Sequence, residues 1–259
     1  MITLASDFGT PYPAAMRGVI LSRIDARLVD VAHDFPRQDP RTAAFWLREV
    51  LPYFPPAVHL AVIDPGVGTD RSALVVRAGE AALVGPDNGV LLPAARRLGD
   101  PEVFEIDPAH EAFPDTGGEG STFDGRDVFA PAAAEIHRAG VDTLEEIEWL
   151  STVEDGEYAD LEFPEPELRE TEAIGEVLVL DGFGNAITNV PGSVLEDRFG
   201  EEVAMNGTAV PAERSYAHVD PGERLVTVGS HGNVELAANA SRGDEAFGVE
   251  VDSDVRIDF

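Results

Sequence analysis

The order of element types in the first quarter of the chain constrains its fold more than any single motif. "MITLAS" is a short apolar run ending at Asp7, and after the turn-forming "GTPYP" the stretch from Ala14 to Ile24 has helical spacing. "ARLVDVAH" has the composition of a second strand. "DPRTAAFWLREVLPYF" predicts a helix with Asp39 as N-cap and Pro40 at the first helical position, and "AVHLAVIDPGVG" a buried strand entering a glycine-rich turn. Strand, helix, strand, helix, strand is the pattern of an α/β domain, a sheet flanked by helices. Two further strands, "SALVVRA" and "AALVG", precede a turn and helix in "PDNGVLLPAARRLG", and "DVFAPAAAEIHRAG" supplies another helix.

The pattern then changes. "VEDGEYADLEFPEPELRETE" is acidic, holds two prolines and has no clear period, so a linker is placed at 156–172, between a first domain at 1–155 and a second at 173–259. Beyond it, "IGEVLVLDGFGNAITNV", "EEVAMNG", "ERLVTVGSHGNVELAAN" and "FGVEVDSDVRIDF" are short strands at close spacing, which predicts a small all-β barrel or sandwich.

Charge bounds the partners. The chain has 49 acidic and 18 basic residues, a net charge of −31, and every basic residue is arginine. Such a surface repels nucleic acid and anionic membranes, so neither is expected as a partner. Self-repulsion on this scale weakens a compact state unless concentrated cations screen it, which points to the cytoplasm of a salt-accumulating halophile. The acidic surplus also lowers the weight of any one Asp or Glu as a functional signal. Cysteine is absent, which excludes disulfides, thiol nucleophiles and cysteine metal sites. "MITLASDFG" lacks the features of a signal peptide, no window has the length and apolarity of a membrane helix, and a cytoplasmic protein is expected.

Several carboxylates stand where α/β sheets bind ligands. Asp7 in "SDFG" ends the first strand, where a carboxylate can accept hydrogen bonds from two ribose hydroxyls, or simply cap a turn. The kinase meaning of that triplet fails without a glycine-rich loop or a strand lysine. In "IDPGVGTDR", Asp64 ends another strand and Arg71 returns seven residues later, a spacing that allows either a charge-assisted pair around a polar ligand or a surface ion pair. In "STFDGRDVFAP", Asp127 precedes an apolar run and is expected to cap the helix, whereas Asp124 has no evident local task and is the better site candidate. In the second domain, Asp181 and Asn185 lie in "LDGFGNAITN", and Ser230 and Asn239 in "GSHGNVELAANAS", on turns able to present polar groups. The six histidines have no metal-ligand spacing, and there is no phosphate-binding or dinucleotide fingerprint.

Taken in order, "MITLASDFGT", "VIDPGVGTDR", "LVGPDNGVL", "STFDGRDVFAPAAA", "DGFGNAITN" and "GSHGNVELA" resemble the S-adenosylmethionine (SAM) hydroxide adenosyltransferases, hydrolytic relatives of the SAM-dependent fluorinase and chlorinase. The resemblance covers nearly the whole chain. It implies an N-terminal α/β domain, a C-terminal β-barrel and a homotrimer, with each site completed by the neighbouring subunit's second domain. It implies hydrolysis of SAM to adenosine and methionine, with SAM as substrate and no cofactor or metal. By the same resemblance Asp7 would hold the ribose hydroxyls, Asp181 and Ser230 the methionine amino group, Asn185 and the segment around Asn239 the adenine, and Phe123 would line the pocket. Asp64 and Arg71 match two members of the family's water-activating triad. The third, a histidine, falls where this chain has Asp124.

The reference pKa values are about 6.5 for histidine and about 3.9 for aspartate, so Asp124 can replace that base only if the site changes its affinity for a proton. In the halogenating relatives, the positions of Asp64 and Val67 hold a tyrosine and a halide-contacting threonine, which argues against a chlorinase here. Three alternatives remain open: a non-catalytic SAM or adenosine binder, a chlorinase, and a metal-dependent phosphohydrolase built on Asp7, Asp64, Asp87 and Asp124.

Overall fold

The computed structural model describes residues 1–114 and 123–259. They form two compact units, Met1–Glu162 and Phe163–Phe259.

The first unit contains β1 (Ile2–Ser6), α1 (Tyr12–Arg23), β2 (Leu28–Ala32), α2 (Pro40–Val50), β3 (Val58–Val62), β4 (Ala73–Ala78), β5 (Ala81–Pro86), α3 (Leu92–Leu98), β6 (Pro101–Ile106), α4 (Ala130–Ala139) and β7 (Leu150–Thr152). Its sheet has the order β2-β1-β3-β5-β4-β6-β7. The pairs β1–β2, β1–β3 and β3–β5 are parallel, as crossover connections require. From β4 onward the pairing is antiparallel, because Gly79 (φ +57°) and Glu80 turn β4 directly back into β5. Both β1 and β3 are buried along their whole length, the state of parallel strands covered on both faces. Ile2, Leu4, Leu60 and Val62 pack with Met16, Ile20, Phe129 and Ile136 in one core. The central strands thereby hold their carboxyl ends, and Asp7 and Asp64 just beyond them, in fixed positions.

Asp39 caps α2, accepting from the Thr42 N–H at 2.9 Å, with Pro40 in the first turn. The helix expected to open at Asp127 is different. Gly125–Phe129 is a π-helical turn running straight into α4, and Asp127 lies inside it. Its buried carboxylate accepts from Arg126 Nε at 2.6 Å and Nη2 at 2.7 Å, so it is engaged by a neighbouring guanidinium from within the turn.

The second unit contains β8 (Glu167–Leu168), β9 (Glu172–Leu180), β10 (Ala186–Pro191), β11 (Glu201–Met205), β12 (Thr208–Ala212), β13 (Arg224–Val228), β14 (Asn233–Ala238), α5 (Gly243–Phe247) and β15 (Asp254–Asp258). The order β9-β10-β14-β13-β12-β11-β15 closes on itself, since β9 pairs with both β15 and β10. The result is a seven-stranded barrel filled by Val177, Val190, Val210, Val226, Leu236, Val255 and Ile257, with β8 added on β9. The expected barrel is therefore present.

The boundary differs from the expected one. Residues 156–172 are divided between the units instead of forming a linker. Ala159 N–H donates to Asp87 at 2.7 Å and Asp160 pairs with Arg96 in the first unit, whereas Glu167, Leu168 and Glu172 pair as strands in the second. The stretch has no period because individual side-chain and backbone partners, not a regular element, fix its first half.

Candidate active site

Ile63 carries the chain from β3 to Asp64, whose side chain is 3% exposed. Gly68 (φ +80°) supplies the left-handed position that turns the loop, and Thr69 Oγ1 donates to Gly66 O at 2.7 Å. The turn returns Arg71 onto Asp64. Arg71 Nε lies 2.9 and 3.0 Å from the two oxygens of Asp64, and Nη2 bonds the same carboxylate. Gly66 matters here because a Cβ would sit 3.1 Å from Arg71 Cγ.

Arg71 Nη2 also donates to Asp124 Oδ2 at 2.6 Å, across 53 residues of sequence. The π-helical turn places Asp124 at its leading end, where the carboxylate caps nothing and is left for Arg71. The Phe129 ring lies 5.1 Å from the guanidinium carbon and packs its face against the cation. One guanidinium thus lies between two largely buried carboxylates. Burial raises the Asp124 pKa above its ordinary value; the Arg71 charge opposes that shift and the Asp64 charge adds to it. Arg71 and Asp124 also line a cavity of about 820 Å³, with Ser72, Glu105, His110 and Val128.

Asp7 is buried beyond β1 and accepts from the Gln38 N–H at 2.7 Å. His33 secures the same turn from both sides: its ring Nδ1 lies 2.7 Å from Ser6 Oγ, and its carbonyl accepts from the Gly9 N–H at 2.8 Å. Phe123 meets Phe8 and Tyr12 edge to face, at 5.6 and 5.5 Å between centroids, forming an aromatic wall beside Asp7. Gly125 permits this packing, because a Cβ would come within 2.8 Å of the Phe123 ring and 3.0 Å of Met16 Sδ.

In the barrel, Asp181 accepts from the backbone N–H of Phe183 (2.9 Å) and Asn185 (2.8 Å), and from Asn185 Nδ2 at 2.8 Å. Asn185 Nδ2 lies 3.4 Å from Tyr216 Oη, which donates to Glu235 at 2.8 Å, and Glu235 meets His231 Nε2 at 3.1 Å. Burial, then the Glu235 carboxylate, push the Tyr216 phenol pKa up. Ser230 is exposed beside His231, whereas Asn239 Nδ2 is committed to Val219 O at 2.8 Å. Sequence reasoning missed Tyr216, Glu235, His231 and His33. Only Glu235 carried a signal, an acid inside the otherwise apolar "VELAA".

Asp87 accepts from Ala159 N–H, and among the described residues no group of three or more His, Cys, Asp and Glu is placed to hold a metal ion. The metal-cluster reading therefore has no assembled ligand set there.

Two family models match the chain: the SAM hydroxide adenosyltransferase N-terminal domain over residues 2–148 and the C-terminal domain over 175–256. An (R)-S-adenosyl-L-methionine hydrolase of Thermus thermophilus is 39% identical over 97% of this chain and 97% of its own length. A protein of the same name from Salinispora tropica is 38% identical over 99% and 97%. A crystal structure of an uncharacterized conserved protein from Thermotoga maritima superposes with a TM-score of 0.85 at 30% identity, covering both chains fully. The two matched models follow the two units in order, and with relatives of this identity along nearly the whole length the chain belongs to the SAM hydroxide adenosyltransferase family.

Proposed function

We infer that the protein is a SAM hydrolase, in which water attacks the 5′-carbon of the ribose and displaces methionine to give adenosine. The observation that carries the mechanism is Arg71 bonded to both Asp64 and Asp124. The sulfonium sulfur takes the electrons of the breaking C–S bond and leaves as a neutral thioether, so no general acid is required. The remaining task is to place one water in line and receive its proton. Arg71 fixes both carboxylates, and Asp124, whose proton affinity burial has raised, takes the proton as the C–O bond forms. With both carboxylates ionised the trio carries one net negative charge, complementary to the cationic sulfonium.

In this reading Asp7 accepts from the ribose hydroxyls, the wall containing Phe123 packs on the substrate, Asp181 and Ser230 receive the methionine ammonium, and Asn185 and the Asn239 segment face the adenine. The protein works as a homotrimer without cofactor, each site completed by a neighbour's barrel, in the cytoplasm of a salt-accumulating cell. The names of the relatives support the (R) sulfonium epimer as substrate.

Incubation of the purified protein with each SAM epimer in molar potassium chloride, followed by chromatography, tests this reading. Adenosine and methionine are expected, formed faster from the (R) epimer. Intact SAM with bound ligand would mean a binding protein, and 5′-chloroadenosine a chlorinase.

A further inference from the structure

A nucleophile pocket in concentrated salt faces competition from chloride, and arginine is the usual anion receptor of such a pocket. Arg71 is committed elsewhere. Its Nε and Nη2 groups are bonded to Asp64, Nη2 also to Asp124, and Nη1 lies 3.4 Å from Ser72 O. The guanidinium edge that would grip an anion bidentately already holds two carboxylates. Their side chains are only 3% and 17% exposed, so water screens their charge poorly. The cluster as a whole carries one negative charge in excess.

We propose that Asp124 determines nucleophile specificity, admitting neutral water to the 5′-carbon and excluding chloride by occupying an Arg71 N–H and adding a net negative charge to the Asp64–Arg71 pair. The inference rests on the hydrolase reading. Two displacements compete at that carbon. In one, water forms the C–O bond, the C–S electron pair leaves on methionine sulfur, and the proton passes to Asp124. In the other, chloride supplies its own electron pair to a C–Cl bond, methionine leaves in the same way, and no proton moves. A neutral residue at position 124 would remove the charge that opposes the second course and free one Arg71 N–H for an anion. The composition gives this selectivity a purpose: a chain with net charge −31 and no lysine is suited to a medium rich in salt.

The test compares SAM turnover at pH 8 in potassium chloride and in potassium glutamate of equal potassium concentration, for the wild type, Asp124→Asn and Asp124→Glu. Wild type and Asp124→Glu should form adenosine at rates that agree within about twofold between the salts, whereas chloride should slow Asp124→Asn about tenfold or divert it to 5′-chloroadenosine. If Asp124→Asn is too slow to assay, excess chloride NMR line broadening by that variant with adenosine and methionine bound, and none by the wild type, is the expected result. Wild-type inhibition by chloride equal to that of Asp124→Asn would overturn the proposal, as would an Asp124→Asn protein insensitive to chloride by rate and linewidth alike. Absence of adenosine from the wild type in both salts would instead overturn the hydrolase reading, and this inference with it.

Discussion

Asp124 and Asp127 show how much a residue's role depends on neighbours that a sequence does not reveal. Their spacing suggests one helix cap and one site residue, and Asp127 as the cap is the natural reading of a carboxylate before an apolar run. In the structure the π-helical turn begins at Gly125, so Asp127 lies inside it with Arg126 on its carboxylate, and Asp124 precedes it without a side-chain capping bond. Asp124 was distinguishable only by having no local partner, since Arg71 lies 53 positions away. The barrel residues Tyr216 and Glu235 were harder still, for only folding brings Tyr216 to Asn185 and Glu235 to Tyr216. If Asp124 receives the proton, Asp124→Asn should lower kcat by about a hundredfold or more while SAM affinity, measured by calorimetry, changes little. Unchanged turnover would remove it from the mechanism. The pH profile gives a second check. The base must be ionised, so kcat should fall on the acid side, with its midpoint above the ordinary aspartate value because burial outweighs Arg71. Asp64 and Arg71 face the same carboxylate, so the midpoint belongs to the trio as a coupled unit.

Elements with strong periodicity or clear caps were legible, and weakly patterned ones were not. The α2 cap was readable because Asp39, Pro40 and the apolar run are adjacent, and Asp39→Ala should cost about 1 kcal/mol in chemical denaturation. β6 begins with proline and sets Val103 and Phe104 side by side between two glutamates, which breaks the alternation of a strand, and β7 and β8 have three and two residues, too short for any period. Pairing defines them instead: β6 with β4, β7 with β6, and β8 with β9. Within the sheet, Thr3 on β1 stands opposite His59 on β3, and Thr3 Oγ1 lies 2.8 Å from His59 Nδ1. Burial lowers the His59 pKa to about 4. Above pH 6.5 both folded and unfolded chains hold the ring neutral, and this group favours neither state. Between 6.5 and about 4 only the unfolded chain binds the proton, so stability falls with pH, by about 3 kcal/mol across the window. His59→Gln should flatten that part of the stability curve. A curve as steep as that of the wild type would show that other groups dominate the acid loss.

At the scale of the whole molecule, the two units and their classes followed from the change in pattern, but not the closure of the barrel. β9 closes it by pairing with β15 through its first half and β10 through its second, a division of one long strand that local spacing does not encode. Net charge is the one global property the sequence states outright, and it sets the salt dependence. Even if each of the 18 arginines neutralised one carboxylate, 31 of the 49 would remain uncompensated. Several arginines already serve two acids, Arg77 with Glu102 and Glu145, and Arg256 with Glu172 and Asp258. Salt therefore has two opposing effects: it weakens these exposed pairs, and it screens the repulsion among the surplus carboxylates. Repulsion involves far more groups, so screening should win. The unfolding midpoint should rise by several degrees or more between about 0.1 M and 1 M potassium chloride, as the screening length contracts from about 10 Å to about 3 Å. The gain should level off once that length is shorter than the spacing between surface charges. A midpoint that stayed constant or fell with salt would mean that the ion pairs outweigh the surplus, and the acidic composition would then need an explanation other than life in concentrated salt.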